Sequence, residues 1–289
     1  MSTTVDTVVR PATADDEAAL AQVLCAYEAR VFGSAPEPAE AVELVGDLER
    51  IRLAQVDGSE PAALVRTVSD EQVDLLAVPG APRATRELLR WVADTLPDAT
   101  IRVPENDGQL LDALPAVTGW HQQRTSYEVF RDTSTPLAPI NVADRVRIEP
   151  LPGSPDLDAL HELIYHDAEW AESGAGRYED RIVWRRYLAG HELRGALATD
   201  TETGRPTGVI IAWQDGPELG WIHRLAVAAG HRGQGIADGL MQRTLLDARS
   251  IGAQWLGAAV YGDNGPARKL YDRWKFDAQN RYFIWRATA

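Results

Sequence analysis

One passage constrains this chain more than any other. Trp221-Ile222-His223-Arg224-Leu225-Ala226-Val227 alternates as a strand does. Gly230, Gly233, Gly235 and Gly239 follow, and then a helical run from Leu240 to Ala248. In a strand, Trp221, His223, Leu225 and Val227 are expected on one face. A glycine-rich turn that closes a strand and opens a helix leaves backbone N–H groups unpaired at the positive end of the helix dipole, which makes it an anion site. Two familiar phosphate patterns are excluded. No Gly-Lys-Ser/Thr occurs here, and a dinucleotide fingerprint starting at Gly233 needs glycine at 238, where Asp238 stands.

The surrounding pattern occurs twice. Val8-Val9-Arg10-Pro11 runs into a capped helix start at Thr13 to Glu17, and Val146-Arg147-Ile148-Glu149-Pro150 leads to a helix start at Ser154-Pro155-Asp156, with proline at an early helical position. Leu76-Ala77-Val78 and Leu225-Ala226-Val227 each end a strand, and helices over 83–95 and 234–250 follow. Short strands come next, at Thr100 to Val103 and Gln254 to Val260, and then Asn106 and Asn264. Last strands around Tyr127 to Arg131 and Tyr282 to Arg286 close the two copies. The chain's 289 residues suffice for two domains. We expect one over 1–131 and another over 145–289, joined by a proline-rich linker at 132–144. Alternating strands and helices predict an α+β fold with helices layered on the sheets.

Two short motifs carry a family resemblance. Arg232-Gly233-Gln234-Gly235-Ile236-Ala237 fits Arg-x-x-Gly-x-Ala, and Asn264, Ala267, Leu270-Tyr271 and Phe276 follow in order. Together they resemble the two signatures of the GNAT acetyltransferase superfamily over residues 145–286. Lys275 stands where that family usually has glycine. The resemblance implies two tandem GNAT-like domains, each a mixed, mostly antiparallel sheet with a splayed central strand pair. It implies acetyl-CoA, or another acyl-CoA, as co-substrate. The pantetheine arm is expected along Leu225, Ala226 and Val227, and the pyrophosphate on the N–H groups of Arg232, Gly233, Gln234, Gly235, Ile236 and Ala237. Asn264, Ala267 and Arg268 complete the expected cofactor residues. The reaction implied is direct attack of a primary amine on the thioester in a ternary complex, with Tyr271 as acid for the leaving thiolate. For the base, Trp221 occupies the place where the family often has glutamate. His223, with its suitable intrinsic pKa, and Glu218 are the candidates.

The first copy lacks the loop. Pro79-Gly80-Ala81-Pro82-Arg83-Ala84-Thr85-Arg86 follows Val78, and its prolines remove N–H donors. We read it as a degenerate GNAT-like domain; the tandem layout resembles mycothiol synthase-like proteins in architecture alone. Asp167, Glu169 and Glu172 are candidates to face a cationic acceptor, and Trp170, Trp184, Trp213 and Trp221 to line its pocket. His166 and Glu169 lack further partners for a metal, so none is expected. The net charge of −14, from 43 acidic and 29 basic residues, disfavours nucleic acid and anionic membranes and suits an amine. A single cysteine, Cys25, rules out an internal disulfide and is expected as a small buried group on a helix. Met1 to Asp6 do not read as a secretory signal, and no apolar run suits a membrane span. These features point to a cytoplasmic protein, monomer or homodimer, acting on a small-molecule amine. The alternative is a non-catalytic acyl-CoA-binding or sensing protein on the same fold.

Overall fold

The computed structural model describes residues 7–69, 71–170 and 178–288; the readings of Met1 to Asp6 and of Glu172 fall outside them. The chain forms two compact units, one of residues 1–125 with 281–289 and one of residues 126–280. The first holds β1 (Thr7–Pro11), α1 (Glu17–Phe32), α2 (Pro38–Val45), β2 (Ile51–Val56), β3 (Ala63–Ser69), β4 (Gln72–Ala77), α3 (Pro82–Thr95), β5 (Thr100–Pro104), α4 (Gly108–Ala113) and the start of β6 (Trp120–Asp132). The second holds the rest of β6, β7 (Val146–Pro150), α5 (Leu157–Glu162), a wider π turn at Leu163–Asp167 and α6 (Arg181–Leu188). It continues with β8 (Arg194–Asp200), β9 (Pro206–Gln214), β10 (Leu219–Val227), α7 (Ile236–Ser250), β11 (Trp255–Tyr261), α8 (Gly265–Arg273) and the start of β12 (Asp277–Ala287).

Each unit has a mixed sheet between helical layers, the α+β arrangement expected. The strand order is β1-β2-β3-β4-β5-β12 in the first and β6-β11-β10-β9-β8-β7 in the second. Only β4–β5 and β10–β11 run parallel among the registered pairs. In the second unit, Leu240 and Leu245 of α7 and Leu270 of α8 cover one face, over Ile210, Ala212 and Ile222. On the other face, Leu160, Leu163 and Trp184 pack against Val209, Ile211 and Trp213.

The last strands trade places relative to the boundaries expected at 131 and 145. Tyr282 to Arg286 of β12 pair with Pro104 to Thr100 of β5, so the C-terminal strand completes the first unit. Ser126 to Asp132 of β6 pair with Tyr261 to Trp255 of β11 and complete the second. Trp285 and Ala287 lie in the first unit's core, and Val129 in the second's. A strand's local pattern fixes which face is apolar but not which edge it joins. Removing Arg281 to Ala289 is therefore expected to unfold the first unit and leave the second unit's six strands intact. Limited proteolysis with mass mapping would read this as early cleavage confined to residues 1–125.

The segment 132–144 is part of the second unit rather than a free linker. Leu137 and Ile140 pack on its core, the Ala143 N–H donates to the Gln234 carbonyl at 3.1 Å, and the Thr133 hydroxyl donates to the Ala253 carbonyl at 2.7 Å. Its prolines suppress periodicity, which made it read as a spacer. Pro155 lies just before α5, whose cap is Asp156, accepting from the N–H groups of Asp158 and Ala159. Cys25 is half-buried on α1. Lys275 adopts φ 59°, so the turn before β12 keeps the conformation that suits glycine. Lys275→Gly should raise stability by about 1 kcal/mol, measurable by urea unfolding.

Candidate functional site

β10 and β11 pair from Leu219 opposite Trp255 to Ile222 opposite Ala258, and there the registered pairing stops. Beyond that point β10 stays on β9 as far as Val227, and β11 stays on β6 as far as Tyr261. A gap opens between two strands whose outer edges are both held. The Ala228 N–H donates to Thr207 of the neighbouring chain segment at 2.9 Å. Hydrogen-bonded pairs alternate along an antiparallel ladder, so Ala226 bonds toward β9, while Leu225 and Val227 turn their backbone groups into the gap.

A bulge sits where the gap begins. The β9–β10 register steps from Ile222 opposite Ala212 to Arg224 opposite Ile211, leaving His223 as the extra residue. This corrects the single face expected for Trp221, His223, Leu225 and Val227. Trp221 packs with the α5–α6 side, whereas Leu225 and Val227 pack with the α7–α8 side. His223 projects to the α6 side, 5.0 Å from the Tyr187 ring and 4.7 Å from the Trp213 ring.

The gap leads to the loop at the head of α7. Gly233 and Gly235 adopt φ 76° and 75°, which places successive N–H groups on one side of the turn. Among the described residues, the N–H groups of Gly233, Gln234, Gly235, Ile236 and Ala237 meet no acceptor, and the Gln234 Oε1 is enclosed without a partner. Gly235 has a second reason to be glycine. A Cβ there falls on the carbonyl oxygen of Asn141 and 3.0 Å from its carbon, whereas a Cβ on Gly233 meets nothing within 4 Å. The Arg232 side chain turns away from the loop, donating to the Ala168 carbonyl at 2.8 Å and approaching Glu169 at 3.4 Å. Its own N–H donates to the Ala229 carbonyl at 3.4 Å, so Arg232, expected among the pyrophosphate donors, offers the loop neither a side chain nor a free N–H. These features suit a pantetheine diphosphate: an open strand edge, a cradle of unpaired donors and an approach unobstructed at Gly233.

The other expected residues divide. Asn264 caps α8 by accepting from the Ala267 N–H at 3.1 Å, so both have a structural task. Arg268 donates to the Gly262 carbonyl at 3.1 Å and lies over the Tyr127 ring. Tyr271 on α8 is 6% exposed and packs 5.0 Å from Phe276, on the same side of the sheet as Leu225 and Val227. Burial pushes its phenol up, so it stays protonated through neutral pH. Glu218 lies at the opposite end of β10, accepting from Gln254 at 2.7 Å, roughly 16 Å of strand from His223. The structure does not bring it to the gap.

His223 is placed at the gap but is poorly suited to the base role expected of it. Burial first, then Arg224 and His191, lower its pKa to about 2. An imidazole that resists protonation this strongly is a weak proton acceptor.

Sequence reasoning missed Arg224 and Glu179. The Arg224 side chain, 14% exposed, donates to Glu179 and lies 5.2 Å over Trp170. An arginine inside an apolar strand signals a hidden carboxylate, but a partner 45 positions away leaves no local trace. The expected acceptor wall is aromatic, with Trp184 fully buried and Tyr165, Trp170 and Trp213 nearly so. His161 Nδ1, Trp184 Nε1, His223 Nε2 and Arg224 Nε are enclosed on this side without hydrogen-bond partners among the described residues. Asp167 and Glu169 are exposed.

The first unit has a related gap that its own side chains fill. β4 and β5 pair only at Gln72–Thr100 and Val73–Ile101. The carbonyls of Ala77 and Val78 then accept from Arg30 at 3.5 Å and Gln109 at 3.3 Å, and the Gly80 N–H donates to Gln109 at 3.0 Å. Arg30 is fixed by the buried Asp107 at 2.7 Å.

Among the described residues no helix is long and apolar enough to cross a membrane. No curated protein matches the sequence. Solved structures do share the fold. A GCN5-related N-acetyltransferase from Sphaerobacter thermophilus aligns at 17% identity over 97% of this chain and 95% of its own, with TM-score 0.76. A tandem GNAT protein from the clavulanic acid biosynthesis pathway aligns at 18% identity over 98% of each chain, with TM-score 0.65. A GNAT-family acetyltransferase from Colwellia psychrerythraea aligns at 14% identity over 98% of this chain and 99% of its own, with TM-score 0.60. The family model for acetyltransferases of the GNAT family matches residues 157–276. The stretch that contains the gap, the loop and Tyr271 is therefore a domain of the acetyltransferase (GNAT) family.

Proposed function

We propose that the second unit is an N-acyltransferase that takes acetyl from acetyl-CoA and passes it to a primary amine of a small molecule in the cytoplasm. The GNAT acetyltransferase fold supports acyl-CoA-dependent acetyl transfer in general. The observation that carries the finer reading is the gap between β10 and β11, which exposes backbone groups of Leu225 and Val227 and ends on the unpaired donors of 233–237. In this reading the amides of the pantetheine arm pair along Leu225, Ala226 and Val227. Asn264, Ala267 and Arg268 flank its other side.

The acyl donor brings an activated thioester. The amine nitrogen attacks the carbonyl carbon, the C–S bond breaks, and the thiolate takes the proton of the Tyr271 phenol, which solvent restores. The nitrogen's own proton leaves to water. Donor and acceptor have separate sides: Tyr271 lies with α7 and α8, while the aromatic wall lies with α5 and α6. The first unit serves in this proposal as a degenerate copy, because Arg30 and Gln109 occupy the backbone groups an acyl-CoA needs.

Titration calorimetry with acetyl-CoA is expected to give one site per chain, and thiol release with a panel of small amines is expected to give turnover. A stoichiometry of two overturns the single-site reading. The displaced Glu218 and the weakly basic His223 favour a second reading, an acyl-CoA sensor. Tight binding with no thiol release for any amine would select it.

A further inference from the structure

His223 and Arg224 stand where β10 leaves β11, and their side chains meet on the α6 side. Arg224 Nη1 lies 3.4 Å from His223 Nδ1 and 3.0 Å from the His223 carbonyl oxygen. A guanidinium offers only donors, so Nδ1 presents its lone pair and the proton of the neutral ring sits on Nε2. Nε2 is enclosed and has no partner among the described residues. Arg224 is itself held, by Glu179 through Nη2 and by Trp170 beneath the guanidinium.

The ring's neighbours come from three other places. Trp213 on β9 and Tyr187 on α6 contact it, and His191 stacks on Trp213 at 4.1 Å. Among the described residues, the charged and titratable groups around it are Arg224, His191 and Tyr187, with Glu179 behind Arg224 and Asp215 acting on Tyr187. The two basic neighbours disfavour a second positive charge beside them, and burial acts in the same direction.

We infer that His223 is a fixed Nε2–H hydrogen-bond donor to a carbonyl or hydroxyl oxygen of the reacting pair, with Arg224 as the positioning residue that sets its tautomer. The identity of that oxygen rests on the acyltransferase reading; the tautomer does not. The oxygen belongs to the thioester carbonyl or to the acceptor molecule. In the first case the donor stabilises charge developing on the carbonyl oxygen. In the second it selects acceptors that carry an oxygen near the amine, because a site built to donate rejects analogues lacking the acceptor. His223 carries no proton from the nucleophile in either case.

Nitrogen-15 NMR of histidine-labelled full-length protein tests the tautomer without any substrate, with the signal assigned by His223→Gln. The expected result is a neutral Nε2–H ring whose shifts stay constant from about pH 5 to pH 9. In the Arg224→Met, Glu179→Gln double variant the fixed tautomer is expected to be lost, while burial still holds the ring's pKa below its ordinary value of about 6.5. A wild-type ring that titrates between about pH 5 and 8, or that carries its proton on Nδ1, overturns the inference.

Kinetics test the donor role. His223→Gln keeps an N–H and is expected to stay within about threefold of wild type, while His223→Leu loses roughly a hundredfold in kcat/KM. A loss in kcat with every amine identifies the thioester oxygen. A rise in KM confined to oxygen-bearing amines identifies the acceptor's. Equal losses in both variants, or disappearance of the acid limb of the pH profile in His223→Gln, overturn the donor role. If no amine supports turnover, the acyltransferase reading fails while the NMR result still decides the tautomer.

Discussion

Gly235→Ala is expected to cost about 3 kcal/mol of folding stability, and Gly233→Ala only about 1 kcal/mol. Both residues have the same left-handed backbone, with φ 75° and 76°. An L-residue pays roughly 1–2 kcal/mol for that conformation. The difference lies in what surrounds them. A methyl on Gly235 falls on the Asn141 carbonyl, and segment 139–144 must shift to admit it, whereas a methyl on Gly233 meets open space. That shift also disturbs the bond from Ala143 to the Gln234 carbonyl, which fixes the middle of the loop. Acetyl-CoA affinity should therefore fall at least about tenfold in Gly235→Ala, the equivalent of 1.4 kcal/mol. Urea unfolding and calorimetry read the two effects. Equal stability losses in the two variants would show that the contact with Asn141 does not constrain the loop.

Tyr271→Phe is expected to lower kcat by roughly a hundredfold while changing stability by less than about 0.5 kcal/mol. The separation follows from the surroundings. The ring is buried against Phe276 and contributes to the α7–α8 core, which phenylalanine preserves. The hydroxyl makes no hydrogen bond to any described residue, so removing it leaves no partner stranded. Its pKa is raised by burial, so the phenol remains a proton donor across neutral and moderately basic pH. Stopped assays of thiol release across pH, paired with thermal melts, check both halves. Wild-type turnover in the variant at every pH would remove Tyr271 from the reaction. A large drop in melting temperature would mean the hydroxyl has a structural partner.

Much of the site's backbone was legible in the sequence, because its signals are local. Glycines at 233 and 235 between an alternating strand and a helical run mark a tight turn at a helix start, and the structure places them there with left-handed backbones. The helices expected at 83–95 and 234–250 occur at 82–95 and 236–250. Where one residue shifts a strand's facing, the pattern misled. The bulge at His223 sends Trp221 and Leu225 to opposite faces, although alternation alone puts them together. No residue type announces such an insertion; it arises from how β9 and β10 settle against the helices on their two sides.

The sequence by itself determined two α+β copies, the loop at 232–237 and the loss of the loop in the first copy, since each depends on contiguous residues and their intrinsic conformations. The tertiary structure alone decided which edge each last strand completes, that 132–144 is packed against α7, that Glu218 is remote, and that Arg224 faces the imidazole of His223. Those outcomes depend on pairings between residues tens of positions apart. Their energies come from burial and from satisfying enclosed polar groups, and neither is written into any short stretch of chain.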